Sequence, residues 1–526
     1  MLGGTLLFVA LVASALASVL SSSQPVLWED LPDLDVFRVG NDFYYSASTM
    51  HYSPGALLLH SKDLINWEYV GHSVPALDWG PKYSLEGGQS AYVEGVFASS
   101  VRRRPSDGKW FWVGCVEYSR SYIYTASSAA GPWTKWAEFS NHCFYDCGLL
   151  FDDDSTPYVA YGAKTILVAR LSKDLKSLVG SRPVHTYSGK AEGSRMYKIK
   201  GTYYILNVDP KTSIEYVMQS KNVYGPYRSA TLANGPKCPV PGAGSPQQGG
   251  IVDDPQGNWY YMAFCNSHPG GRVPVIAPIT FNGLGFPQLR NSNEWPSPMT
   301  PPMRSAAVQP AYYQDDFDGP SLGPKWEWNH NPVISAFSLG NGNGTGLTLR
   351  TASVTKDLYK AQNTLTHRIL GPKSRATIKL SYKDMKAGDR AGLVLLRDLS
   401  TWVGVINNDG KVSVGVWTGC ALTLAKSKNQ WSTTATGSLQ TSAAIPRTEE
   451  KSIWLRATAN VAPHGPHTVE FSYSTDGDDF LDIGSPFTMR TNWDFYLGYR
   501  YGIFNFATQS LGGSVDVGSF ILERAS

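Results

Sequence analysis

The stretch Val36-Phe37-Arg38-Val39-Gly40-Asn41-Asp42-Phe43-Tyr44-Tyr45 decides the fold. It runs as an apolar strand, a polar turn and an aromatic strand, which is the chemistry of a β-hairpin. The same cadence returns at 100–112 around Pro105-Ser106-Asp107-Gly108 and at 148–161 around Asp152-Asp153-Asp154-Ser155. It returns again at 194–206 around Lys200-Gly201 and at 250–264 around Asp254-Pro255-Gln256-Gly257. A second strand-forming element follows each hairpin, running through Trp67, Trp133, Leu175, Tyr227 and Phe286. Five units of four short strands, spaced by about 45–65 residues, predict a five-bladed β-propeller over residues 18–295.

Composition agrees with an all-β chain rich in tight turns. Of 526 residues, 51 are Gly and 33 are Pro, aromatics make up 12% and charged residues only 17%. Disordered chains lack such aromatic content, and coiled coils lack such turn content. The net charge is +3, and no basic block exceeds Arg102-Arg103-Arg104, so a nucleic-acid partner is not expected. Weak charge with many Trp and Tyr suits a neutral polyhydroxylated ligand, whose C–H faces stack and whose hydroxyls bond.

Residues Leu2 to Ala17 are apolar and small, ending in Ala15-Leu16-Ala17. We read residues 1–17 as a cleaved secretory signal and expect an extracellular protein. The departure is the missing Lys or Arg ahead of the run; the competing reading is a membrane anchor, for which it is short. Six cysteines (Cys115, Cys143, Cys147, Cys238, Cys265 and Cys420) are too few for a disulfide scaffold and too dispersed for zinc. One or two disulfides are expected, with connectivity open. Asn343-Gly344-Thr345 is the N-glycosylation acceptor, in a glycine-rich hairpin leading to Leu347.

Residues 296–311 are Pro-rich and predict a linker. Beyond them, alternating strands at 376–381, 392–396, 402–406, 412–417, 453–459, 468–473 and 514–522 predict a two-sheet β-sandwich over 312–526. Trp402, Trp417 and Trp493 are expected in its core rather than as sugar platforms. Residues 499–506 (YRYGIFNF) are candidates for contact with the propeller.

In a propeller the innermost strand of each blade starts at the central axis, so residues just before it share one mouth. Asp33, Asp146 and Glu192 hold that place in blades one, three and four. Phe97 stands near it in blade two, and Gln247-Gln248 in blade five. Any single acid there reads most simply as a turn former; three in equivalent repeat positions do not. Asp35 is the rival to Asp33, while Asp63, Asp174 and 152–154 read as turn residues. Three acids around one pocket suit glycosidic cleavage: one protonates the leaving oxygen, one activates water or attacks carbon, and one tunes the acid by like-charge repulsion.

At these residues the chain resembles glycoside hydrolase family 43. Pro32-Asp33-Leu34-Asp35-Val36 is similar to the opening motif that carries the general base. Tyr145-Asp146-Cys147-Gly148-Leu149 resembles the segment of the pKa-modulating acid, and Glu192-Gly193-Ser194-Arg195-Met196-Tyr197 that of the general acid. Gln248-Gly249-Gly250 and Gly271-Arg272-Val273-Pro274 resemble the last blade, where Arg contacts sugar. Asp315-Asp316-Phe317 and Gly512-Gly513-Ser514-Val515-Asp516 resemble the concanavalin A-like sandwich of the family's fungal members. Leu34 stands where the family often has Pro, and Gln247 where it usually has His.

The resemblance implies an inverting, exo-acting hydrolase. Asp33 is then the base, Glu192 the acid and Asp146 its modulator, with Arg272, Gln248 and Phe97 on the substrate. With Gln247 in place of His, no catalytic metal and no cofactor are expected. The implied substrate is arabinoxylan or xylan, with α-L-arabinofuranose as the released sugar and β-1,4-xylosidase action as the alternative. A secreted carbohydrate-binding protein without catalysis is the alternative of another class. A sucrose- or fructan-cleaving propeller lacks support, because its Asn-Asp-Pro and Arg-Asp-Pro motifs are missing. A monomer without membrane or nucleic-acid partners is expected.

Overall fold

The computed structural model describes residues 24–291, 293–296, 308, 310–340, 344–425, 430–445 and 450–525. The expected signal at 1–17 and the acceptor Asn343 lie outside the described residues, and of the 296–311 linker only 296, 308, 310 and 311 are described.

The first half forms five four-stranded antiparallel sheets, the blades of a propeller. Their innermost strands are Asp35–Val39, Ser100–Arg103, Gly148–Phe151, Glu192–Ile199 and Gln247–Asp253. In each blade the hairpin read from the sequence supplies the first two strands, as in Val36↔Tyr45 and Val39↔Asp42. Gly40, at φ 64° with nothing near its missing side chain, makes the tight turn between them. The aromatic strand of one blade packs on the next: Tyr44 of blade one meets Trp110 of blade two at 4.6 Å, edge to face. The N-terminal segment closes the ring, since Val26 N and Leu31 N donate to the Pro274 and Arg272 carbonyls of blade five.

Two disulfides form, Cys115–Cys143 and Cys238–Cys265, leaving Cys147 and Cys420 as buried thiols. The first ties the second strand of blade two, Trp110–Val116, to the segment that leads into blade three.

The second half is a sandwich of a nine-stranded and an eight-stranded sheet around one apolar core. Every strand expected there forms. Among the further strands that form there, which the alternation rule did not single out, are Trp326–Asn329, Leu365–Arg368, Gln430–Ala444 and Arg500–Ala507. Gln430–Ala444 is an edge strand of small polar residues with little to bury, so it carries no hydrophobic period. Arg500–Ala507 is buried at every position and so does not alternate. Trp402 is buried and Trp417 half-buried against it, but Trp493 is 65% exposed and is not core. It stands outside the strands, at the propeller side of the sandwich beside Tyr496.

The two halves are joined through backbone and buried charge. Tyr52–Ser53 of the propeller pairs with Trp326–Asn329 and so adds a strand to the eight-stranded sheet. Glu327, fully buried, receives Arg368 at 2.9 Å, Arg500 at 2.5 Å and His72 of blade one at 2.9 Å. The sequence-stretch 499–506 does reach the propeller: Tyr499 N donates to the Pro269 carbonyl, and the Arg500 guanidinium covers the Tyr52 ring at 3.5 Å. Only glycine fits at 498, where a Cβ would lie 2.6 Å from the Gly270 backbone.

Candidate active site

A residue in the left-handed region stands at the axial end of four innermost strands: Asp33 (φ 57°) and Asp146 (φ 46°) two residues ahead of theirs, Gly193 (φ 71°) and Gln248 (φ 48°) second in theirs. This conformation is uncommon for a residue with a side chain and is tolerated best by Asp and Asn. It breaks the strand alternation at the axis. In blades four and five it produces a register shift, between Glu192 and Arg195 and between Gln247 and Gly250. The break also separates Asp33 from its rival. Asp35, on the regular strand, is fully buried and accepts from Ser100 Oγ at 2.7 Å and Arg102 Nη1 at 2.5 Å, a structural role.

Arg195 locks the arrangement from below. Fully buried, it donates to the carbonyls of Asp33 (2.8 Å), Leu34 (3.0 Å) and Cys147 (2.6 Å), so one guanidinium fixes the loops of blades one and three against blade four.

Asp33, Asp146 and Glu192 converge on one hollow of about 110 Å³, and Phe97, Gln248 and Arg272 line it as well. All six residues proposed from the sequence therefore meet in one place. Asp33 (6%), Asp146 (8%) and Glu192 (8%) are almost wholly buried. Burial, together with the charges of Glu192 and Asp33, pushes the Asp146 carboxyl well above the ordinary carboxylate range. Glu192 accepts the Tyr145 hydroxyl at 2.7 Å and Lys190 Nζ at 2.8 Å, both on Oε2. Burial works against the charge of Lys190, but Glu192 and Asp146 outweigh it and raise its pKa.

Arg272 is engaged differently from the sequence expectation. Its Nη1 and Nη2 grip Asp33 Oδ1 and Oδ2 at 2.5 and 3.2 Å, and its Nε donates to the Tyr496 carbonyl at 3.1 Å. The fork thus clamps the proposed base rather than standing free for sugar hydroxyls. Gln248 is held by its backbone N–H on Glu215 Oε2 at 3.2 Å; Glu215 is buried, which pushes its carboxyl up to about 8. Phe97, Tyr118 and Tyr145 form an aromatic wall, with centroids 5.1 and 5.9 Å apart. Met50 and Tyr118 also line the hollow. His51 and Tyr52 are buried behind it, and Glu117 pairs with Lys82.

The hollow opens into a basin of about 530 Å³ that shares Lys190, Glu192, Gln248, Arg272 and Tyr496 and adds Gln247, Phe264, His268 and Trp493. A narrow hollow under a wider basin can hold one terminal sugar below and a longer leaving chain above. Gln247 Oε1 accepts from Ser213 Oγ at 3.2 Å. Among the described residues, no three His, Cys, Asp or Glu side chains are grouped to hold a metal ion.

Lys190, Tyr145 and Tyr496 were not singled out by sequence reasoning. Tyr145 adjoins Asp146 inside a quoted motif, and Lys190 lies two residues before Glu192, so proximity to the acids was an available signal. Tyr496 gave no signal, because it reaches the hollow from the sandwich.

A family model described as glycosyl hydrolases family 43 matches residues 22–287, and one described as beta xylosidase C-terminal concanavalin A-like domain matches 314–523. A putative beta-xylosidase of Xylanibacter ruminicola is 29% identical over 500 residues, covering 89% of this chain and 84% of that protein. A non-reducing end alpha-L-arabinofuranosidase of Bacteroides ovatus is 26% identical, covering 71% and 73%. A solved family 43 glycoside hydrolase, with an active site engineered to display both endo-xylanase and exo-arabinofuranosidase activity, superposes with a TM-score of 0.91. It is 41% identical, covering 96% of this chain and all of that one.

Proposed function

Because the chain belongs to family 43 of the glycosyl hydrolases, an inverting family, we propose that it releases terminal α-L-arabinofuranose from the side chains of arabinoxylan. The observation that carries this reading is the meeting of Asp33, Asp146 and Glu192 in one sugar-sized hollow on the propeller axis. A non-catalytic lectin would have no use for three buried acids, because desolvating a carboxylate is costly unless it is used.

Inversion takes one displacement, with carboxyls about 6.5–9.5 Å apart to admit water. Asp33, oriented by the Arg272 fork, takes a proton from that water as its oxygen attacks the anomeric carbon. The bond to the leaving oxygen breaks as Glu192 delivers a proton to it from the opposite face. Asp146, held well above the ordinary carboxylate range by burial and by the charges of Glu192 and Asp33, stands beside the acid as its modulator. Tyr145 and Lys190 both occupy Glu192 Oε2, which leaves Oε1 to deliver the proton. Solvent then reprotonates Glu192 and deprotonates Asp33. No metal or cofactor enters the scheme. The apolar start of the chain supports secretion, where such a polysaccharide is found.

The test is hydrolysis of nitrophenyl α-L-arabinofuranoside, nitrophenyl β-D-xyloside and wheat arabinoxylan, with product anomers followed by NMR. Arabinose released as the inverted anomer is expected, with Asp33→Ala and Glu192→Ala each losing about 10²–10⁴-fold or more while remaining folded. Xylose as the preferred product favours the second reading, β-xylosidase action, which the names of several relatives support. Retained anomeric configuration would remove Asp33 from its role.

A further inference from the structure

Outside the catalytic hollow and its basin, a cavity of about 270 Å³ lies in the sandwich, sharing no lining residue with either. Its floor is aromatic. Trp402 and Trp417 are cross-strand partners whose rings stack at 5.6 Å with planes 5° apart, and Phe506 continues the surface. The Trp417 indole N–H is already donated to the Thr436 carbonyl at 2.9 Å, so the ring has its apolar face left to offer.

Two cations stand in the wall of this cavity, Lys356 and Arg390. Arg390 donates to the carbonyls of Asp389 and Asn407 and to Asn408 Oδ1, and among the described residues neither cation forms an ion pair. The neighbouring acids are turned elsewhere: Asp357 Oδ1 accepts from Tyr359 N at 3.0 Å, and Asp389 Oδ2 from Lys386 N at 2.7 Å. A flat indole in one wall with two cations that form no ion pair matches a ring that has C–H faces and carries a carboxylate. At about 270 Å³ the space lies at the small end of ligand sites, which suits one such ring rather than a chain.

We propose that this cavity is a second carbohydrate site, which binds a hexuronic acid residue on Trp417 with its carboxylate toward Lys356 and Arg390. The catalytic hollow takes a neutral sugar, so acidic substituents of a polysaccharide are held by the sandwich and not by the propeller. The site then serves to retain the enzyme on acid-substituted chains without taking part in cleavage.

The test uses the Glu192→Ala protein, which is not expected to turn the probes over, and three probes in titration calorimetry. These are a xylo-oligosaccharide bearing one glucuronic acid residue, the unsubstituted oligosaccharide of equal length, and ferulate as a carboxylate without a sugar. The acidic oligosaccharide is expected to bind about tenfold tighter than the neutral one, the effect of one charge-assisted hydrogen bond. Trp417→Ala and the surface variant Lys356→Gln/Arg390→Gln should each erase that preference. In the otherwise native chain, the same changes should leave hydrolysis of nitrophenyl arabinofuranoside unchanged. Equal affinity for the two oligosaccharides overturns the proposal. So does a preference that survives both variants, which would place the acid in the basin near Lys190, and so does ferulate binding as tightly as the acidic oligosaccharide.

Discussion

Replacing Arg272 by Gln separates two roles for this residue that the sequence alone leaves merged. Its guanidinium grips both oxygens of Asp33, at 2.5 and 3.2 Å, and both side chains are more than nine-tenths buried. A bidentate fork fixes the plane of the carboxylate as well as neutralising it. Without it Asp33 is free to turn, and a displacement of about 1 Å in a group that must meet the attacking water costs about 10²-fold in turnover. Arg272→Gln should therefore lower kcat on nitrophenyl α-L-arabinofuranoside by about 10²-fold with KM little changed. The assay is steady-state kinetics of Arg272→Gln and Arg272→Lys. Lys keeps the charge without the fork, so its kcat should fall less than that of Gln. An unchanged kcat with a raised KM alone would refute the clamp and return Arg272 to contact with sugar hydroxyls.

Three further outcomes concern stability. Glu327→Gln strips the buried Arg368, Arg500 and His72 of their shared carboxylate, and should cost about 3–5 kcal/mol in denaturant unfolding; a loss under 1 kcal/mol would show the network to be neutral. Burial lowers His330 and His367 to about 3, so the unfolded chain takes up protons below its ordinary value near 6.5 and the fold does not. Stability should then fall with acid from pH 6.5 toward 3, by about 2–3 kcal/mol per histidine at pH 4.5, and a His367→Phe variant should show a shallower slope in the same titration. Cys238→Ser/Cys265→Ser opens a loop spanning 27 residues and should lower stability by about 3–4 kcal/mol, measured as a drop in denaturant midpoint; an unchanged midpoint would make that bridge dispensable.

The convergence of the three acids was legible because a propeller repeats. Asp33, Asp146 and Glu192 hold matching places before matching strands, so equivalence in sequence becomes proximity in space. The left-handed turns that aim them were not legible, and neither was the loss of Asp35 as a rival. Those depend on Arg195 reaching carbonyls of two other blades and on Arg102 and Ser100 taking up Asp35. Trp493 was misplaced for a related reason: a lone Trp in a strand-rich segment reads as core, and only the docking of the two halves leaves it exposed beside the basin.

Hairpin chemistry, strand alternation and repeat spacing are local properties, and they determined the five blades, the sandwich and the three acids before any coordinates. The partner of each charge is set at long range. Only the folded chain decided that Arg272 holds Asp33, that Lys190 and Tyr145 share one oxygen of Glu192, and that Tyr496 of the sandwich completes the hollow. Turn and strand preferences act over a few residues, whereas a buried ion pair forms wherever packing brings two charges together, and sequence distance carries no record of that.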